Sequence, residues 1–198
     1  MERDFIDASG YCSVHESYHC ECYRPAKKPK NYYKPLEIEL LSIYGVWESM
    51  RAMRLPKGGK SDSKFLCLGD GDGELAARLI RAGDDHAKAI RGINAYIELK
   101  MQVGWMIEFE TYRHGVECLS TSSAMHGELK ELSGIELAEQ KQADLSDKLY
   151  TRIVMISYQT LRNIYRARRK HRHPDWRIFC SFIEDLPHFD KLIYPEVA

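Results

Sequence analysis

The sixteen residues TYRHGVECLSTSSAMH, positions 111–126, set a guanidinium beside an imidazole, Arg113 and His114, and follow them with Ser120, Thr121, Ser122 and Ser123. A guanidinium offers a fixed fork of donors and short hydroxyls offer adaptable ones, an inventory suited to phosphate or carboxylate oxygens. A nucleotide is the first ligand this suggests. The competing reading is a serine-rich surface turn, since serine favours helix caps and turns.

A second cationic stretch lies later in the chain. From Lys148 to His173 there are eight Lys/Arg residues and no Asp or Glu, although the 198-residue chain has 29 residues of each sign and no net charge. An anion is therefore drawn to one part of the surface. Basic residues gathered at one helix end of a neutral chain argue against nucleic acid as the partner.

Three further groups could do chemistry. Cys12, His15, His19, Cys20 and Cys22 supply enough soft and imidazole ligands for a tetrahedral zinc, with Cys12, His15, Cys20 and Cys22 as the candidate set. Their spacing matches no strong zinc pattern, and a tail or interface arm is the competing reading. The G-x-G-x-G of LGDGDGELAA invites a phosphate loop, but Asp70 and Asp72 would repel a phosphate and the dinucleotide spacing is absent. Asp72 reads instead as a helix cap. Cys118 has no visible base and reads as a small buried residue; Trp176 reads as core.

These residues need a scaffold. With 44% apolar and 29% charged residues the composition is that of an ordinary globular domain, and no window approaches the roughly 18 apolar residues of a membrane span. The charged start MERDFIDASG lacks a signal-like apolar stretch, which implies the cytoplasm, and the uneven spacing of the six cysteines implies reduced thiols. Residues 1–35 read as a Cys/His-rich arm and linker, and 36–198 as the folded domain. LEIELLSIYG predicts a strand, VWESMRAMRL a short helix stopping at Pro56, and GELAARLIRAG a helix after a glycine-rich turn, with Leu75, Leu79 and Ile80 on one face and Gly83 at its end. INAYIELKM predicts a strand. VGWMIEFETYRH predicts a helix with Val103, Met106, Ile107 and Glu110 on one face, which sets Arg113 and His114 at its C-terminal end, where cations are favoured. GELKELSGIELAEQKQ predicts a solvated helix, YTRIVMISYQTLRNIYRARRK another, and PDWRIFCSFIEDL a last one, with Pro174 in its first turn and Trp176, Phe179, Ile183 and Leu186 as a core stripe. The expected class is α+β, a small mixed or antiparallel sheet packed with four to five helices.

The order of these pieces resembles the flavin-dependent thymidylate synthases. The likeness runs from IELLSIYGVWESMRAMR through LIRAGDDH and AYIEL...FETYRHG, the place of that family's Arg-His-Arg signature, to LRNIYRARRKHRHPDWRIF, covering about residues 36–190. The TYxxG...STSxMH and NIYxxRxxH patterns also resemble those of short phage and prophage proteins. The family resemblance implies a homotetramer, or at least a homo-oligomer, with sites between subunits. In those sites FAD and dUMP stack, methylenetetrahydrofolate gives the one-carbon unit, and reduced flavin delivers hydride to the pyrimidine.

Carried over by motif, Arg113, His114, Asn163 and His173 correspond to cofactor-binding positions, with His171 an alternative to His173. His86, Glu110, Ser120, Ser122, Ser123 and His126 correspond to substrate-binding ones. The catalytic arginine that stabilises charge on the uracil ring falls on Arg168 by its distance from Asn163, or on Arg169 by its distance from Trp176, because one residue has been inserted. Gly115 stands where the family has its second arginine, Glu110 where a glutamine is usual, and Lys88 and Arg91 where small and acidic residues are usual. Glu110 would face a phosphate unless it pairs with an arginine. Two functions are therefore expected: C5 one-carbon transfer to a dUMP-like nucleotide, or non-catalytic nucleotide binding on the same fold, as in a phage factor that sequesters or senses a nucleotide. A structural oligomer without a small ligand is the third.

Overall fold

The computed structural model describes residues 33–123 and 129–195, except for the side chains of 144–147. Cys12, His15, His19, Cys20, Cys22 and His126 lie outside the described residues. The chain runs β1 (Glu37–Tyr44), α1 (Val46–Arg54), α2 (Asp70–Ala82), β2 (Asn94–Gln102), α3 (Val103–Phe109), β3 (Val116–Thr121), α4 (Gly134–Asp147), β4 (Leu149–Ser157), α5 (Tyr158–Arg168) and α6 (Pro174–Glu184). The four strands form one antiparallel sheet in the order β1-β2-β4-β3. Among the described residues no helix is long and apolar enough to cross a membrane.

Strand β2 shows how the sequence builds the sheet. Alternate residues of NAYIELKMQ are buried, Ala95, Ile97, Leu99 and Met101 at 0% exposure, so one face of the sheet meets the helices. That face joins a core with Met50 of α1, Ile80 of α2, Trp105 and Phe109 of α3, and Trp176, Phe179 and Ile183 of α6. Trp105 lies 5.0 Å from Trp176 and 5.2 Å from Phe109 between ring centres, an aromatic nucleus that pins α3 to α6. Each such side chain contributes roughly 1.5 to 3 kcal/mol by leaving water.

Three elements differ from expectation, each for a physical reason. YTRIVMISYQTLRNIYRARRK is two elements, β4 and α5. Its β-branched Thr151, Ile153, Val154 and Ile156 suit a pleated sheet, and β4 is paired on both sides, by β2 and β3. The break falls at Ser157, whose hydroxyl accepts from the Thr160 amide and caps α5. The Ser-rich segment after Gly115 is strand β3, fixed by pairing with β4. In α3 the period is right and the phase is not: Trp105 and Phe109, i and i+4, face the core while Ile107 is 61% exposed.

Of the glycines of GDGDG, Gly69 is the N-cap residue of α2 and Gly71 and Gly73 lie in its first turn, so no open glycine turn forms. Its cap is Asp62, whose carboxylate accepts from the amides of Gly71 (2.9 Å) and Asp72 (3.0 Å). Asp72, expected to be the cap, is the third residue of the helix and fully buried. It accepts from Arg54 Nε (2.7 Å), the Ser61 hydroxyl (2.5 Å), and the Ser63 hydroxyl (2.7 Å) and amide (3.1 Å). Burial alone would raise its pKa, but these hydrogen bonds outweigh that and hold the carboxyl well below its usual range.

Candidate functional site

Helix α5 separates the two adjacent arginines. It buries Tyr158, Leu161, Ile164 and Tyr165 and leaves Asn163, Arg166 and Arg169 exposed. Arg168 turns toward α3 and α6: its Nε donates to the Tyr112 hydroxyl at 2.8 Å, and its guanidinium lies 4.7 Å from the Trp176 ring centre. Arg169 turns the other way, its guanidinium 5.0 Å from the Tyr194 ring centre.

Arg169 lines a cleft of about 500 Å³ together with Arg81 of α2, Arg162, Arg166, Ile193 and Tyr194. Arg162 is nearly buried and held in place, donating to the Asp84 carboxylate and to the Ile80 carbonyl (3.2 Å). Burial would raise the Asp84 pKa; the hydrogen bond and charge of Arg162, with help from Gln159 and Arg166, bring it below its usual value, so Asp84 is ionised at neutral pH. Asn163 is exposed on α5, its side-chain oxygen 3.5 Å from Gln159 Nε2, and Gln159 Nε2 is 3.4 Å from Asp84.

Arg113 and His114 follow α3 in a turn after the helix has ended at Phe109. Arg113 lines a second cleft, about 200 Å³, with Phe109, Glu110, Tyr112, Cys118 and Arg152. Glu110 does pair with an arginine: Arg152 reaches it at 2.6 Å and also donates to Thr121 at 2.9 Å. Cys118, expected to be buried, is exposed, because it lies on an edge strand.

The turn closes on α5. The His114 carbonyl accepts from the Thr160 hydroxyl at 2.6 Å and the Gly115 carbonyl from the Ser157 amide at 2.8 Å. Gly115 has φ +74°, and a Cβ there would fall 2.5 Å from the Thr160 hydroxyl and 2.6 Å from that of Ser157. A side chain at this position would have to displace both hydroxyls and adopt a strained positive φ.

The remaining expected positions are dispersed. Ser120 pairs with Ile153, which puts it on the sheet face opposite Arg152 and Thr121. Ser122 accepts from the Thr151 amide at 3.0 Å, extending the sheet edge, and Ser123 follows at an exposed position. His173 caps α6, its Nδ1 accepting from the Asp175 amide at 3.3 Å, and His171 Nδ1 accepts from the His173 amide at 3.2 Å. His86 lines a third cleft, about 720 Å³, between α1 and α2, where Arg54, Lys57, Arg78 and Lys88 stand with Glu74 and Asp85.

The structure thus groups Arg169 with Arg81, Arg162 and Arg166, and Glu110 with Arg113, while Ser120, His86 and His173 stand apart. Arg81, Arg162, Arg166 and Tyr194 were not anticipated from sequence. Arg162, Arg166 and Arg169 recur at i, i+4 and i+7, the spacing of one helix face, and that signal was present in the basic run. Among the described residues no group of three or more His, Cys, Asp or Glu side chains could hold a metal ion.

No protein-family model and no curated protein sequence matches this chain. Solved structures do. A crystal structure of the flavin-dependent thymidylate synthase ThyX from Helicobacter pylori, complexed with FAD and dUMP, is similar at TM-score 0.58 and 14% identity over 80% of this chain and 98% of that one. A second ThyX structure from the same organism, also with FAD and dUMP, gives 0.58 and 13%, over 81% and 97%. The UMP/dUMP methylase PolB from Streptomyces cacaoi, bound with 5-Br dUMP, gives 0.55 and 11%, over 80% and 92%. At such identities the likeness establishes the fold.

Proposed function

We propose, from a fold shared with flavin-dependent thymidylate synthases, that this chain binds a pyrimidine nucleotide of the dUMP kind. Its phosphate would rest on the arginines of α5. The observation that carries this reading is the cleft lined by Arg81, Arg162, Arg166 and Arg169, in which Arg162 is paired with Asp84 while Arg166 and Arg169 are exposed. Such groups recognise phosphate through paired, charge-assisted hydrogen bonds. Arg162 is positioned by Asp84, and the Tyr194 ring supports Arg169 over the opening. The similar solved structures hold dUMP or 5-Br dUMP. The cleft lined by Arg113 does not include Ser120, and the proposal extends to a homo-oligomer, dimer or tetramer, in which one site could draw the two from different copies.

A second reading keeps the flavin, favoured by the exposure of Arg113, His114 and Asn163 on a fold whose relatives are complexed with FAD. Those residues and His173 would hold FAD; the flavin would supply hydride, and methylenetetrahydrofolate the one-carbon unit. Arg169, open to a cleft, suits the arginine facing the uracil ring better than Arg168, which is committed to Tyr112 and Trp176. The closed space at Gly115 leaves FAD phosphates one cation fewer than the signature provides, and for that reason binding without flavin chemistry is the preferred reading.

The test is to titrate the purified chain with dUMP while recording its melting temperature and its visible spectrum. Binding at about 100 times Kd adds roughly 2.7 kcal/mol to stability, a readily measured shift. A colourless protein stabilised by dUMP supports the first reading, and flavin bands in the spectrum support the second. A well-folded protein indifferent to dUMP and to other pyrimidine nucleotides overturns both.

A further inference from the structure

The arginine cleft also has an apolar lining, which an anion alone does not use. While α5 supplies cations, the chain beyond α6 supplies Ile193, Tyr194 and Pro195. Among the described lining residues Tyr194 is the one aromatic side chain, and it is firmly set. A single π-helical turn, Phe189–Ile193, precedes it; Leu192 and Ile193 are fully buried, and the Tyr194 amide donates to the Phe189 carbonyl at 2.8 Å. The half-buried ring packs on Tyr165 at 5.1 Å and on Phe189 at 6.3 Å between ring centres. Its cover is different in kind: the guanidinium of Arg169, an exposed residue, lies 5.0 Å from the ring centre. Arg162 is committed to Asp84 and the Ile80 carbonyl, whereas exposed Arg166 and Arg169 are able to turn toward a ligand.

We infer that Tyr194 determines specificity in this cleft: its ring is the platform for the pyrimidine base, and the Arg169 guanidinium is the cover that the base displaces and that then turns to the phosphate. This rests on the nucleotide reading above and deepens it by giving the base a place. A cation resting on an exposed ring is held weakly, a base stacked on an aromatic face is held more firmly, and the released guanidinium gains a charge-assisted hydrogen bond. The exchange therefore runs toward the bound state. A phosphate without a base would draw on Arg166 and Arg169 but gain nothing from the ring.

The experiment is a calorimetric titration of the full chain with dUMP, with 2-deoxyribose 5-phosphate, which has no base, and with 5,6-dihydro-dUMP, whose saturated ring keeps the hydrogen-bonding groups of uracil but is no longer flat. The unaltered protein should prefer dUMP to either analogue by about tenfold, the range of one base stacked on one aromatic ring. Tyr194→Phe should keep that preference. Tyr194→Leu should reduce it to about twofold or less while leaving the affinity for 2-deoxyribose 5-phosphate unchanged, a pattern that a general loss of structure would not give. The comparison of dUMP with its dihydro form uses the unaltered protein and decides the matter even where Tyr194→Leu fails to fold. Equal affinity of the unaltered protein for dUMP and either analogue, a preference that survives Tyr194→Leu, or equal losses for all three ligands in that variant overturns the platform and leaves nucleotide binding standing. No binding of dUMP overturns both.

Discussion

Arg168 and Arg169 are neighbours in sequence with opposite surroundings, and exchange experiments should separate them. Arg168→Ala removes a hydrogen bond to Tyr112 and a stack on Trp176, so it should destabilise the fold by about 2 kcal/mol in urea unfolding. Arg169→Ala should leave stability within about 0.5 kcal/mol. It should instead weaken bound nucleotide by about 1.5 to 3 kcal/mol in calorimetry, the range of a charged hydrogen bond. Equal stability losses in the two variants would contradict this division. Sequence spacing alone left the pair unresolved, because a one-residue insertion rotates a helical side chain by about 100° and only the packed partners show which way each points. Glu110 was legible as needing an arginine, but its partner Arg152 is 42 residues away across the β3–β4 pairing, beyond the reach of local pattern.

The elements were legible wherever apolar period and punctuation agreed. β1, β2, α1 and α6 follow their sequence signals closely, with Pro174 opening α6, and α2 does so at its end, Gly83, but not at its start. They failed where pairing overrides local pattern. β3 is short, largely exposed and specified by its neighbour, and β4 runs directly into α5 without a loop to mark the change. That junction depends on Ser157. Replacing it with alanine removes the hydroxyl that accepts from the Thr160 amide and should cost about 1 kcal/mol. Asp62→Ala should cost a similar amount, ~1 kcal/mol, by uncapping α2 from a distance in sequence. Both are measurable by urea unfolding; an unchanged midpoint for Asp62→Ala would show that α2 does not depend on that cap.

For the molecule as a whole, the buried Asp72 couples stability to pH. Its pKa is lower folded than unfolded, so ionised Asp72 stabilises the native state above the unfolded value of about 3.9, and that contribution is lost as pH falls below it. Asp84 shifts in the same direction and adds to the trend. Asp72→Asn should therefore lower stability at pH ~7 by about 3 kcal/mol, the cost of breaking a buried ion pair, and flatten the decline between pH ~4 and more acid conditions. Urea titrations at several pH values decide it; an undiminished acid decline in the variant would exclude Asp72 as its source. The closed turn at Gly115 also constrains how such a protein could change. Two hydroxyls that anchor the start of α5 occupy the room a larger residue would need, so an arginine at that turn must displace them and adopt a strained positive φ. Displacing them disturbs the hydroxyl that caps the helix carrying the other arginines, so an added cation at that turn is gained at the expense of that helix's start.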